Sequence, residues 1–286
     1  MPSTRDIRRR IKSVKNTAQI TKAMQMVAAS KMRKAQQLAT AGHPYAEVLN
    51  RVLVSLQDRV DHTLHPLLDV REVNRELVLV ISTDKGLCGG LNTNLFRELA
   101  QFDSAKTDFV SSGRKAKQFL ARTKRNLLAD FELSDQPAFA QSKQISKFVI
   151  EKFLNGEVDR VTVLFSKFVN TLTQTPRAFQ LLPISPTLVN EAAESADSGA
   201  GGGFLFEPDA HEVLDAILPY YVHFGVFQMV LDARASEHSA RMVAMKNATD
   251  NAKNLVKDLT LEYNKVRQAS ITSELLEITT AQMALQ

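Results

Sequence analysis

Beyond Gly225 the chain runs to Gln286 without another glycine or proline. That leaves about 60 residues of good helix formers, which at about 1.5 Å each span roughly 90 Å. A domain of about 130 residues is only about 35 to 40 Å across, so a helix of this length is expected to project beyond any domain it leaves. Its apolar positions then need cover, and the stretch LDARASEHSARMVAMKNATDNA offers Ala233, Ala235, Ala240, Ala244, Ala248 and Ala252 for close approach by a second helix. The amino-terminal segment supplies that helix. From Thr4 to about Asp58 the period is helical, with Ile7, Ile11, Val14 and Ala18 at spacings of 4, 3 and 4, and the frame resumes at Ala28, Met32, Ala35 and Ala39. This is a heptad seam of small residues. Two terminal helices from opposite ends of one chain most simply pair antiparallel. Gly42 and Pro44 are expected to weaken or kink the first helix before YAEVLNRVLVSL resumes it. In the second, Pro208 suits the first turn beside Asp209, and Pro219 is expected to kink or restart the helix.

The first helix is unusual in another way. In ITKAMQMVAASKMRKAQ, at about 100° per residue, Ile20, Met24 and Val27 fall on one side, Met26 on nearly the opposite one, and Ala28 and Met32 between. A helix lying on a globule shows a single apolar stripe. This one is also basic: Arg5, Arg8, Arg9, Arg10, Lys12, Lys15, Lys22, Lys31, Arg33 and Lys34 stand against Asp6 alone in the first 40 residues, although the whole chain carries only +5. Charge concentrated in this way implies a partner.

Between the terminal helices the texture changes. ELVLVIST is a buried strand by its apolar, β-branched run, followed by a Gly-rich turn and the helix-like NTNLFRELAQF. TDFVSSG with RKAKQFLART repeats the alternation, as does SKQISKFVIEKFL with RVTVLFSKFVN, and PRAFQLLPI can add an edge strand. Alternation of this kind predicts a small Rossmann-like α/β domain with a largely parallel sheet. The expected division is a helix over 1–60, the α/β domain over 70–205 with a surface loop near 191–203, and a helix over 206–286. The 286 residues, 44% apolar, suffice for a real core and contain no run of 18 or more apolar residues, so no membrane span is expected. MPSTRDIRRRIKS lacks the apolar core of a secretory signal, so the mature protein is expected to begin here, in a reducing cytoplasm. Cys88, being single, has no internal disulfide partner.

IKSVKNTAQITKAMQMVAASKMRKAQ, STDKGLCGGLNTNLF, SEHSARMVAMKNATDNA and YNKVRQASITSELLEI resemble, in order and over essentially the whole chain, the gamma subunit of the F-type rotary ATP synthase. The resemblance implies a central shaft whose coiled coil runs up the axis of a hexamer of alpha and beta subunits. The α/β domain is then expected lower down, beside the epsilon subunit and on the membrane ring of c subunits. Proton flow would turn ring and shaft and drive the beta subunits through ATP synthesis. No catalytic residue, cofactor or metal is expected in this chain. Its expected place is the cytoplasmic face of a bacterial inner membrane, as a peripheral subunit. By resemblance, Lys22, Met24 and Lys31 match the region that meets acidic loops of the beta subunits, and Arg267, Gln268 and Thr272 face a beta loop higher up. Ile271, Leu275 and Ile278, at spacings of 4 and 3, form a stripe for an apolar collar that serves as bearing. The plainer alternatives are that Met24 and Val27 fill the seam, and that the polar positions near the end are simply solvated.

Competing functions find less in the residues. In STDKGLCGGLN a strand leads through glycines to a helix with Asn92 or Thr93 as its cap, the generic place for phosphate. Yet Lys85 precedes the glycines, no GK[ST] follows, and the GxGxxG pattern is absent. Gly86, Gly89 and Gly90 are instead expected to let the backbone turn against the foot of the coiled coil. His43, His62, His65, His211, His223 and His238 show no metal-ligand spacing, with His62 and His65 expected to be solvated near a loop. Asp84 beside Lys85 is expected to form a surface pair. Arg5, Arg8, Arg9, Lys12 and Lys15 make one basic face that could meet nucleic-acid phosphates, but nothing aromatic is interleaved before Tyr45. The carboxyl end departs from the family pattern, with Gln282 and Met283 where small residues are usual. The cysteine pair of the chloroplast branch is absent, so thiol control is not expected.

Overall fold

The computed structural model describes residues 3–57, 65–184, 207 and 209–284. The expected loop at 191–203, Pro208 and His62 lie outside them. Two helices, α1 (Thr4–Gln57) and α5 (Ala210–Ala284), each contribute to two compact units, one formed by residues 1–28 with 241–286 and the other by 29–240.

In the first unit the seam is periodic on both helices. On α1, Ile7, Thr21 and Ala28 are buried and Ile11, Val14 and Ala18 half-buried. On α5, Met245, Thr249, Ala252 and Leu259 are buried and Val256, Tyr263 and Val266 half-buried, at alternating spacings of 4 and 3. The two helices meet through Thr21 and Thr249, whose hydroxyls lie 2.7 Å apart. Each hydroxyl also reaches a carbonyl of its own helix, Thr21 that of Ala18 at 3.1 Å and Thr249 that of Met245 at 2.8 Å. Two protons cannot serve three bonds, so one hydroxyl donates to its own carbonyl while the other donates across the seam. Of the six alanines expected at the contact, Ala252 is buried here and Ala244 and Ala248 are half-buried.

In the second unit, β1 (Glu76–Ile81), β2 (Thr107–Ser112), β3 (Leu127–Phe131), β4 (Arg160–Phe168) and β5 (Gln174–Leu182) form one sheet in the order β3-β2-β1-β4-β5. All neighbours are parallel except β5, which pairs antiparallel with β4 at the edge. Strand β1 is buried on both sides. Val78 and Val80 pack with Leu95 and Leu99 of α2 (Leu91–Leu99) and Ala116 and Leu120 of α3 (Arg114–Arg122). Leu77, Leu79 and Ile81 face Ile145, Val149 and Phe153 of α4 (Phe139–Leu154), Leu53 of α1 and Leu214, Leu218, Val222 and Val226 of α5. Helices therefore cover both faces, the arrangement of a doubly wound fold. One 18-residue window of α5 reaches a mean hydropathy of 1.3, and the residues just named explain why: that part of the helix is a wall of this core.

Three local expectations are corrected. α5 does not restart at Pro219 but runs through it, as α1 runs through Gly42 and Pro44. Near Pro44, tertiary packing overrides local preference: Tyr45 lies against Phe224 and Tyr220, with ring centroids 5.0 and 5.8 Å away, and an added Cβ at Gly42 would come within 3.3 Å of the Phe224 ring. His65 is not a solvated loop residue, since its Nδ1 accepts the Leu67 amide at 3.1 Å and its Nε2 stands 3.6 Å from Asp215. Asn92 does not cap α2, whose N-cap is Gly90; its side chain instead donates to the Thr83 hydroxyl at 2.7 Å, holding the preceding loop closed.

Between α4 and α5, the Ser146 hydroxyl lies 2.7 Å from Nδ1 of buried His223. Burial, helped by the Lys143 ammonium, holds His223 below the ordinary imidazole value. The unfolded chain therefore takes up the proton more readily than the folded one. The stability that this site contributes is complete above about pH 6.5 and is lost as pH falls below it. Denaturant midpoints measured from pH 7.5 to 5 should fall more steeply for the natural chain than for His223→Leu; parallel slopes would show that His223 is not the group responsible.

Candidate functional site

A doubly wound sheet binds ligands at the carboxyl ends of its strands, where the chain reverses direction across the sheet. Here that point lies between β1 and β4, and α5 occupies it. Arg234, which is buried, donates through Nη2 to Asp84 just beyond β1 at 3.1 Å and to the carbonyl of Leu133 just beyond β3 at 3.0 Å. Its Nη1 donates to buried Glu237 at 2.8 Å. Further along the helix, Ser236 donates to the carbonyl of Ser166 in β4 at 2.8 Å and Ser239 to that of Thr171 at 2.7 Å. Burial works against the charge of Arg234, but Glu237 and Asp84 outweigh it and raise its pKa above the usual guanidinium value.

The loop between β1 and α2 is fitted to this helix. Asp84, expected to form a surface pair with Lys85, turns toward the helices: one carboxylate oxygen accepts from Arg234, and the other accepts the Arg114 amide of α3 at 3.2 Å. The remaining amides at the start of α3 are also taken, Lys115 by the Thr83 carbonyl at 3.1 Å and Ala116 by the Ser82 hydroxyl at 2.8 Å. A helix start so fully bonded has no amides to offer a phosphate. Gly113 is required there, because with φ of +104° an added Cβ would lie 2.4 Å from the Ser82 carbonyl oxygen. In the glycine loop itself Gly89 adopts φ of +60°, Gly90 caps α2 at φ of −84°, and a Cβ at Gly86 would meet nothing within 4 Å. Among the described residues, no group of three or more His, Cys, Asp or Glu side chains is placed to hold a metal ion.

The predicted contact residues fall in two places. Lys31 is in the α/β unit, where its ammonium donates to Asp135 at 2.5 Å and holds that carboxyl below its usual range. Lys22 and Met24 belong to the coiled-coil unit, Lys22 exposed and reaching Gln25 at 3.4 Å, Met24 half-buried. Around them Ile20, Met26 and Val27 are 60%, 59% and 56% exposed, so this helix does present apolar side chains outside its seam. At the other end of the unit, Thr21 facing Thr249 in an antiparallel pair puts Ile7 level with Tyr263 and exhausts α1 near Val266. From Arg267 to Met283 every residue of α5 is exposed, including Gln268, Thr272, Ile271, Leu275, Leu276 and Ile278. The Thr272 hydroxyl bonds to the carbonyl of Gln268 at 2.9 Å.

Known proteins match this chain in sequence and in fold. The sequence pattern of a family described as ATP synthase matches residues 3–285. Two similar curated proteins are both ATP synthase gamma chains. That of Methylacidiphilum infernorum is 52% identical over the full length of both chains, and that of Opitutus terrae is 54% identical over 99% of each. A chain in the cryo-EM structure of the Euglena gracilis mitochondrial ATP synthase (OSCP, F1 and c-ring, rotational state 3) has a similar fold. It is 24% identical, with a TM-score of 0.68 covering 99% of this chain and 94% of that one.

Arg234→Met should leave buried Glu237 and half-buried Asp84 without their cation and cost about 3 kcal/mol, measured by denaturant unfolding. Adding Glu237→Gln and Asp84→Asn should recover part of the loss. A single mutant as stable as the natural chain would mean the cluster contributes no net stability.

Proposed function

The chain belongs to the ATP synthase gamma-chain family, and from that premise we propose that it is the non-catalytic central rotor shaft of the complex. Its coiled coil is sleeved by alpha and beta subunits. The α/β domain, read as residues 70–205 between terminal helices 1–60 and 206–286, meets the epsilon subunit and the c ring. The whole works as a peripheral subunit at the cytoplasmic face of a bacterial inner membrane.

The observation that carries this reading is apolar surface without a partner among the described residues. Ile20, Met26 and Val27 stand outside the seam, and Ile271, Leu275, Leu276 and Ile278 lie on a helix that has outrun its partner. Such surface marks an interaction site, and its position on both helices suits a surrounding sleeve better than a groove. Apolar contact is non-directional, so Ile271, Leu275 and Ile278 can turn inside a collar. Polar contacts hold particular angles, the role given to Arg267, Gln268 and Thr272; Lys22, Met24 and Lys31 are read as contacts to the beta subunits lower down. The α/β unit gives the enzyme alternative little support, because α5 fills its ligand crevice.

Co-expression with alpha and beta subunits should convert a poorly behaved isolated chain into a monodisperse complex; a stable monomer with both helices fully protected from hydrogen exchange would contradict the shaft reading. The isolated chain should show no ATPase activity, and Lys85→Ala should leave nucleotide binding by the complex unchanged. In single-molecule rotation, truncation after Ile278 should be tolerated, whereas Gln268→Leu or Thr272→Val should alter assembly or speed. Because the Thr272 hydroxyl is exposed and bonds only its own helix, its loss should change chain stability by no more than about 0.5 kcal/mol. The reverse pattern would overturn this division of roles.

A further inference from the structure

Within the α/β unit, Tyr45 of α1 and Tyr220 of α5 bring two phenols together on the outside of the molecule. Their ring centroids lie 5.8 Å apart with the rings inclined at 68°, an edge-to-face contact. A second ring holds each tyrosine against the other: Phe224 stands 5.0 Å from Tyr45, and Phe139 of α4 stands 5.8 Å from Tyr220. Yet neither phenol is enclosed, since Tyr45 is 44% and Tyr220 39% exposed. A solute too large to enter the core can therefore reach both.

The chain offers a one-electron oxidant little else that competes. It contains no tryptophan, and Cys88, its single thiol, is buried. Of the other two tyrosines, Tyr221 packs against the core of the sheet and Tyr263 belongs to the coiled-coil unit. Burial, and after it the facing Tyr220 hydroxyl, hold the Tyr45 phenol above its ordinary value. At neutral pH it keeps its proton, so electron and proton must leave it together.

We propose that Tyr45 and Tyr220 form an oxidative modification site, at which a diffusible one-electron oxidant, acting twice, joins the two rings by a carbon–carbon bond ortho to their hydroxyls. Each phenol gives up one electron and its hydroxyl proton. The two unpaired electrons then make the bond between ring carbons, and the hydrogens on those carbons move to the oxygens, restoring both phenols. Two electrons and two protons leave in all, and the oxidant takes the electrons. The product is a covalent tie between α1 and α5, made from side chains that the fold already holds in contact.

The test illuminates the full chain, dilute, with a ruthenium tris-bipyridyl complex and persulfate. Monomer recovered from a denaturing gel is then digested and searched by mass spectrometry for linked peptides. A pair containing Tyr45 and Tyr220, lighter by two hydrogens than the separate peptides, should be the main product. Tyr45→Phe and Tyr220→Phe keep the ring contact, and each should lose that product, whereas Tyr263→Phe should retain it. In denaturant the linkage should scatter over all four tyrosines. The proposal is overturned by monomer without the Tyr45–Tyr220 bond under illumination that couples free N-acetyltyrosine, by bonds formed only between chains, or by the same yield from the denatured chain.

Discussion

The α/β unit is organised around a single guanidinium. Arg234 projects from α5 into the place where a doubly wound sheet would hold its ligand, and there it joins the ends of two strands through Asp84 and the Leu133 carbonyl. Its neighbours on the helix continue the attachment to β4 through Ser236 and to the loop after it through Ser239. Charge is taken into a dry region only because both carboxylates and a carbonyl receive it. The cluster is thus better described as specifying how helix and sheet fit than as adding stability. The crevice is present, and the protein's own helix occupies it.

The coiled-coil unit follows the opposite economy. Ile7, Ala28, Met245, Ala252 and Leu259 close the seam with the two threonines, and further apolar side chains are left outside it or beyond its end. A monomer built for itself would bury Ile20, Val27, Ile271 and Leu275, as the α/β unit buries Leu77 and Leu79. The contrast within one chain separates surface that completes a fold from surface that completes an assembly.

Much of this was legible in the sequence because periodicity reports burial directly. The frame Ile7, Ile11, Val14, Ala18 and Ala28, Met32, Ala35, Ala39 is the observed one, and the β-branched run at Leu77–Ile81 is the central strand. The gap in the frame at Thr21 hid a seam position, because a threonine on a basic helix looks solvated until its partner Thr249, far away in sequence, is brought against it. Strand β3 escaped notice for a related reason: LLADF is short, contains a carboxylate and is nowhere fully buried. Arg234 and Glu237 look like an ordinary exposed i,i+3 pair, and only the fold surrounds them with carbonyls and strand ends. Periodicity carried the first helix through Pro44 but could not show that the second would run through Pro219 without a restart.

The paired hydroxyls of Thr21 and Thr249 set a length as well as a contact. Aliphatic seams tolerate sliding by a heptad, since one methyl-lined layer resembles the next, but a buried hydroxyl opposite alanine or methionine would lose its bond. Polar seam positions fix register in this way in coiled coils. A slip of seven residues would move one helix past the other by roughly 10 Å, and that distance would be added to or removed from the bare end of α5. The two threonines therefore act as a gauge, determining how far the uncovered tip extends past its partner and hence at what height any encircling surface must meet it.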